Sequence, residues 1–175
     1  MIYSSDLIEK EAVFEVAKLM AAAARTAPKA RGIDNILTMI VDGDEKERLA
    51  DEMTRLAEEG TYAAFSRDAG NVRASDYVVL LAVKDNHSGV PHCGVCGFEN
   101  CDAAKAAGSP CAINVSDLGT AASSACIVAS NHFVDNRLMY TAGRAAQFLG
   151  FFGTEIRLCY GIPVSATGKS LYFDR

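Results

Sequence analysis

Basic residues are in the minority, histidine is scarce, and no apolar run approaches the thickness of a bilayer. Seventeen Lys and Arg against 22 Asp and Glu leave a net charge of −5. No basic stripe overrides that total, so nucleic acid is excluded as the main partner, because phosphate binding needs a cationic surface. The longest apolar stretch, Tyr77–Val83, is far short of the roughly 20 residues that cross a membrane as a helix, and no membrane partner is expected. Met1-Ile2-Tyr3-Ser4-Ser5-Asp6 shows no basic segment leading into an apolar one, so no signal peptide is expected and the reading is cytoplasmic. With only three histidines, His87, His92 and His132, no Ser–His–Asp grouping can be argued. Ala166-Thr167-Gly168-Lys169-Ser170 ends in G-K-S but lacks the earlier glycine and the following helix of a Walker loop. Internal repeats, coiled-coil heptads and low-complexity linkers are also lacking.

Against these absences stands one concentrated signal. Four of the six cysteines lie within nineteen residues, spaced C-x2-C-x4-C-x9-C at Cys93, Cys96, Cys101 and Cys111. Six cysteines could staple a small secreted domain. A chain of 175 residues, half of them hydrophobic, buries a core without staples, and local clustering favours metal ligation. Thiolates are soft ligands for iron–sulfur clusters, Zn²⁺ or Cu(I), and four of them complete the first shell of a 4Fe–4S cluster or of a tetrahedral zinc ion. Gly94 and Gly97 follow the first two cysteines directly and permit backbone conformations closed to other residues. Phe98 is placed to shield a cluster from water, and Pro110 fixes the approach of Cys111. Zinc sites usually pair two C-x2-C knuckles, or one knuckle with two histidines, and only one knuckle is present. A 4Fe–4S cluster is therefore the first reading and zinc the alternative. His92 could replace one thiolate or act only as a neighbour. Cys126 and Cys159 read as small buried hydrophobes.

Along the chain, Ser4, Ser5 and Asp6 offer N-caps for a helix to about Ala24, with Val13, Phe14, Ala17, Met20 and Ala24 on one face. Arg25–Asp34 is a basic loop broken by Pro28 and Gly32. Ile36–Val41 reads as a buried strand, Glu45–Glu59 as an amphipathic helix closed by Gly60, and Thr61–Ser75 as a short helix with a loop. Tyr77–Lys84 is apolar on both faces, hence central in its sheet. A short helix near Cys101–Ala107 belongs to the cysteine module. Asp117–Ser130, rich in Gly, Ala and Ser, is a helix that either packs tightly on another backbone or lies against a flat ligand. Asn136–Leu149 reads as a further helix and Glu155–Ile162 as a third strand, followed by a polar tail. The expectation is one α+β domain over residues 1–175: a central, mostly antiparallel sheet flanked by helices, with a cluster-binding module inserted at residues 86–115.

Cys93, Cys96 and Cys101, with the more distant Cys111, resemble the cluster-binding segment of corrinoid iron–sulfur proteins and related 4Fe–4S domains. The whole chain resembles the uncharacterised ferredoxin-domain proteins of bacteria and archaea. That resemblance rests on A-R-T-A-P-K-A-R-G-I-D-N (Ala24–Asn35), the cysteine module, V-D-N-R-L-M-Y (Val134–Tyr140) and Y-G-I-P-V-S-A-T-G-K-S-L-Y-F-D-R (Tyr160–Arg175). A fainter likeness is to FMN-dependent nitroreductases. It is carried by the A-P loop, the D-x-G-x-A helix at Asp117, Gly119 and Ala121, the Leu149-Gly150 helix end, and the strand running into G-I-P. This likeness implies FMN at a homodimer interface, its phosphate held by Arg25, Lys29, Arg31 and Lys169. The combined expectation is an electron-transfer protein with a 4Fe–4S cluster, coupled to flavin-dependent reduction of a small molecule. Its partners would be a redox protein or a small-molecule substrate, and an enzyme of this kind would be an oxidoreductase. The alternative is a non-enzymatic interaction protein with a structural zinc or cluster site.

Overall fold

The computed structural model describes residues 1–60 and 62–173. Thr61, at the head of the Thr61–Ser75 segment, and Asp174 and Arg175, which end the Tyr160–Arg175 motif, lie outside the described residues. Helix α1 (Ser5–Thr26) leads through a short 3₁₀ turn at Ala30–Gly32 into β1 (Ile36–Val41). Then come α2 (Gly43–Glu59), α3 (Ala64–Ala74), β2 (Tyr77–Lys84), α4 (Cys101–Ala106), α5 (Ala112–Asn131), β3 (Asp135–Asn136), α6 (Tyr140–Phe148) and β4 (Ile156–Ser165).

The sheet has the order β1-β2-β4-β3, and every pair is antiparallel. Period-two alternation along β2 sends its side chains to two separate cores. Tyr77, Val79, Leu81 and Val83 pack with α1 and α5. Val78, Leu80 and Ala82 pack with α2, α3 and α6. Burial on both faces explains why β2 reads as a continuous apolar run, and it lies between β1 and β4 as that run predicts.

Three boundaries differ by three residues or more from the sequence reading. Helix α5 begins at Ala112, five residues before Asp117, so that Cys111 becomes its N-cap. Ile113, Asn114 and Val115 are weak helix formers, which hid this first turn. Its length and composition alone would let α5 span a bilayer, with a third of that stretch buried. Its apolar character has a packing cause, since Leu118, Ala121, Ala122, Ala125 and Ala129 are fully buried against α1 and the sheet. The segment expected to be helical from Asn136 is instead the short strand β3 up to Asn136, and α6 starts at Tyr140. Strand β4 continues past Ile162 to Ser165, through Pro163. Pro163 fits because backbone groups alternate along a strand. Val164 bonds toward β2, accepting from the Asp76 amide, while Gly161 bonds the other way with Met139. The missing N–H of Pro163 therefore falls on the side away from β2, between the β3 pairs and the Met139–Gly161 bridge. On α1, Val16 joins the buried face, and Phe14 lies at its margin against the Tyr77 ring, 5.0 Å between centroids.

The segment after β4 is anchored by Tyr172, whose buried hydroxyl is 2.9 Å from Ser75 Oγ and donates to Ser165 Oγ at 3.1 Å. Tyr172→Phe keeps the ring but removes both bonds, a loss of about 1–2 kcal/mol. A thermal melt is expected to show Tm about 2–8 °C lower at this chain length.

A four-cysteine cavity as the candidate functional site

The module hangs between two firm points of the fold, the end of β2 and the start of α5. After Lys84 the chain turns through Asn86, and Arg31 donates to the carbonyls of Ser88 (3.1 Å) and Gly89 (2.9 Å), pinning the first part of the loop. Gly94 and Gly97, with φ of 62° and 84°, hold left-handed conformations that only glycine adopts without strain. The Gly97 amide donates to Gly94 O at 2.9 Å and closes the turn around Cys96. Asn100 caps α4 by accepting from the Ala103 amide at 2.9 Å, which fixes Cys101 as the first helical residue. Arg157, from β4, donates to Gly108 O at 2.8 Å and ties the far side of the module to the sheet.

These constraints bring Cys93, Cys96, Cys101 and Cys111 to the wall of one cavity of about 280 Å³. All four are free thiols. Phe98, His87 and His92 line the same cavity. His87 Nε2 is buried without a hydrogen-bond partner. Among the described residues, no three His, Cys, Asp or Glu side chains converge as ligands of one ion.

The four thiols are not equivalent. Cys93 and Cys96 on the loop and Cys101 at the start of α4 are partly exposed, whereas Cys111 is buried at the N-cap of a 20-residue helix. Burial alone would raise its pKa. The backbone amides of Ser88 and Asn114, the Ser88 hydroxyl and the Ile113 amide outweigh that and hold the thiol below the ordinary cysteine range. The amides of Ile113 and Asn114 belong to the first turn of α5, where the helix dipole also favours negative charge. Cys126 and Cys159 show the opposite behaviour, with burial pushing them up to about 11 and about 12. A network that sequence reasoning missed lies behind Cys111, made by Ser88, Asn114, Asn35 and Asn86. Its members come from three separate stretches of chain, and no spacing rule announces them.

The basic residues read as phosphate ligands have other bonds. Arg25 pairs with Asp34 and donates to Ile36 O at 2.7 Å. Lys29 donates to the carbonyls of Ala24, Arg25 and Ala27 at 3.1, 2.6 and 2.8 Å, satisfying the C-terminus of α1. Arg31 holds the module, as above. Asp117 accepts from the Ala30 amide at 3.1 Å, which pins the basic loop to α5. Lys169 lies beyond β4, where its carbonyl accepts from Thr167 Oγ1 at 2.7 Å. None of these four cations lines the cysteine cavity.

Fold and site together define a class: a nitroreductase-fold chain carrying a cysteine-rich module. The structure is similar to a nitroreductase family protein from Clostridium novyi NT at TM-score 0.60 and 13% identity, over 98% of this chain and 80% of that one. It is equally similar to a nitroreductase with bound FMN from Desulfitobacterium hafniense, at TM-score 0.60 and 13% identity, over 97% and 81%. At the sequence level, residues 107–175 match the family described as "Uncharacterized protein containing a ferredoxin domain". A protein of Archaeoglobus fulgidus described as uncharacterized is 39% identical over the whole of this chain and 98% of its own length. The chain belongs to this family of ferredoxin-domain proteins.

Proposed function

We propose that this chain is an electron-transfer protein whose Cys93, Cys96, Cys101 and Cys111 hold a 4Fe–4S cluster. The observation that carries the reading is the convergence of all four spaced cysteines on one cavity. The donor set fits the group: four soft sulfurs, one of them held below the ordinary cysteine range at a helix N-terminus, beside a buried imidazole nitrogen with no partner. When bound, a cluster supplies single-electron chemistry. The chain holds it, screens it with Phe98 and sets its surroundings.

Zinc is the alternative. One tetrahedral ion with Zn–S bonds of about 2.3 Å draws its four sulfurs close together. Zinc sites usually pair two C-x2-C knuckles, and the single knuckle at Cys93 and Cys96 favours the cluster. FMN is a second cofactor reading, favoured by the nitroreductase fold alone. Lys29 would have to leave its three backbone carbonyls to hold the phosphate, whereas the bonds of Arg25 and Arg31 described above use one guanidinium nitrogen each. A homodimer belongs to this second reading, as does an oxidoreductase activity on a small molecule. A redox protein as partner suits the first, as does a cytoplasmic setting, where thiols stay reduced.

Anaerobic purification followed by iron, sulfide, zinc and released-flavin assays on one preparation tests these readings. The expected result is a brown protein, bleached by dithionite, with roughly four iron and four sulfide per chain. A colourless protein with one zinc per chain would overturn the cluster. Flavin released on denaturation would add the FMN reading, and its absence would remove it.

A further inference from the structure

The network behind Cys111 assigns a role to a hydroxyl. Ser88 and Asn114 are each 2% exposed, and Asn35 is 6% exposed. In the thiol form, Cys111 Sγ donates to Ser88 Oγ at 3.8 Å, and Ser88 Oγ donates its single proton to Asn114 Oδ1 at 2.9 Å. Asn114 cannot flip, because its Nδ2 donates to Asn86 O at 2.5 Å. Its Oδ1 has a second donor, Asn35 Nδ2 at 3.1 Å, and Asn35 is oriented in turn by Asn86 Nδ2 on its Oδ1 at 3.3 Å.

A cysteine bound to metal carries no thiol proton. Ser88 Oγ then loses its donor, and the sulfur beside it becomes a strong acceptor. We infer, resting on the cluster reading above, that Ser88 is a positioning residue for the fourth ligand: with Cys111 bound to metal, the Ser88 hydroxyl turns its proton from Asn114 to the Cys111 sulfur, while Asn35 keeps Asn114 Oδ1 hydrogen-bonded. A charge-assisted bond replaces a neutral one, and no buried polar atom is orphaned. Donors to cluster sulfur stabilise the more negative, reduced state, so this bond raises the reduction potential. Asn35 acts one step further out. Without it, Asn114 Oδ1 competes for the same Ser88 proton.

The test measures reduction potential by titrating the visible absorbance of anaerobically purified protein, with iron and sulfide assayed on each sample. Ser88→Ala is expected to shift the potential to more negative values at unchanged cluster content, and Ser88→Thr to stay near wild type. Asn35→Leu is expected to shift it in the same direction, and the double variant no further than Ser88→Ala, because both act through one proton. An unshifted or raised potential in Ser88→Ala, or additive shifts in the double variant, would overturn the inference and leave the cluster reading standing. Should Ser88→Ala fail to load, Asn35→Leu carries the test, and an unchanged potential there overturns it. Wild-type protein that holds no iron or sulfide overturns both.

Discussion

Gly143→Ala is expected to leave the protein unable to fold. Within a helix, that substitution would ordinarily gain about 1 kcal/mol of propensity. Here a methyl group on Gly143 would collide with the carbonyl of Cys159 and approach Tyr160 Cα to 2.6 Å. These are backbone atoms of β4, held in the sheet by β2 on one side, so no side chain can swing away. Gly161 on the same strand is the reciprocal contact, because a Cβ there would lie 2.6 Å from Ala142 Cβ. Helix α6 and β4 thus touch backbone to backbone. Separating them would open the core formed by Leu80, Ala82, Met139, Ala142 and Cys159. The cost exceeds the roughly 1–3 kcal/mol typical of overpacking, in a protein whose total stability is on the order of 5–15 kcal/mol. The expected measurement is insoluble expression, or a Tm at least about 10 °C lower in a calorimetric scan. Gly70→Ala is the control. Gly70 is exposed in α3 with nothing within 4 Å of its added methyl, and it is expected to hold or raise Tm. A Gly143→Ala protein that melts with wild type would disprove the close contact.

That contact shows which features the chain disclosed and which it withheld. Strand β2 was legible because burial on both faces forces every residue from Tyr77 to Val83 to be apolar. The grouping of the four cysteines was legible because their short spacing lets one module carry all of them to one cavity. Gly143 and Gly161 were not, since glycine in a helix or strand has many causes and only the assembled layers show one. The start of α5 was also concealed, because Ile113 and Asn114 argue against a helix that tertiary packing nonetheless imposes. The backbone bonds of the basic loop were hidden for a related reason. Arg25, Lys29 and Arg31 read as cations facing an anion, and the fold adds that each also donates to backbone carbonyls, at the end of α1, at the start of β1 and in the cysteine module. Sequence reports the charge of a residue and is silent on its backbone partners. The same silence hid Asn35, Ser88 and Asn114, which meet only because β1, the loop after β2 and the N-terminus of α5 converge.

Cys111 unites two roles that substitution can separate. As the proposed ligand it must be sulfur. At the N-cap position of α5 it is a buried group, 7% exposed, whose Sγ donates to Ser88 Oγ at 3.8 Å. Cys111→Ala removes both functions. In metal-free protein it empties part of a buried position and removes the bond to Ser88, which costs about 1–3 kcal/mol, so Tm is expected to fall by about 2–12 °C. Cys93→Ala and Cys96→Ala, at partly exposed loop positions, are expected to leave the metal-free Tm within about 2 °C, because surface substitutions rarely exceed ±0.5 kcal/mol. Cys111→Ser divides the roles. Serine is among the preferred N-caps, so metal-free stability is expected to return to near wild type. A hard hydroxyl is a poor substitute for a thiolate toward iron, so iron content after anaerobic purification is expected to remain as low as in Cys111→Ala. Melting curves of metal-free protein and iron assays on all four variants check this. Equal metal-free Tm for Cys111→Ala and Cys93→Ala would disprove this buried role, and full iron in Cys111→Ser would show that the proposed cluster does not need this sulfur. Under the proposed cluster, Cys111 supplies the buried corner at the start of α5, tied to Ser88, whereas Cys93, Cys96 and Cys101 supply the partly exposed ones.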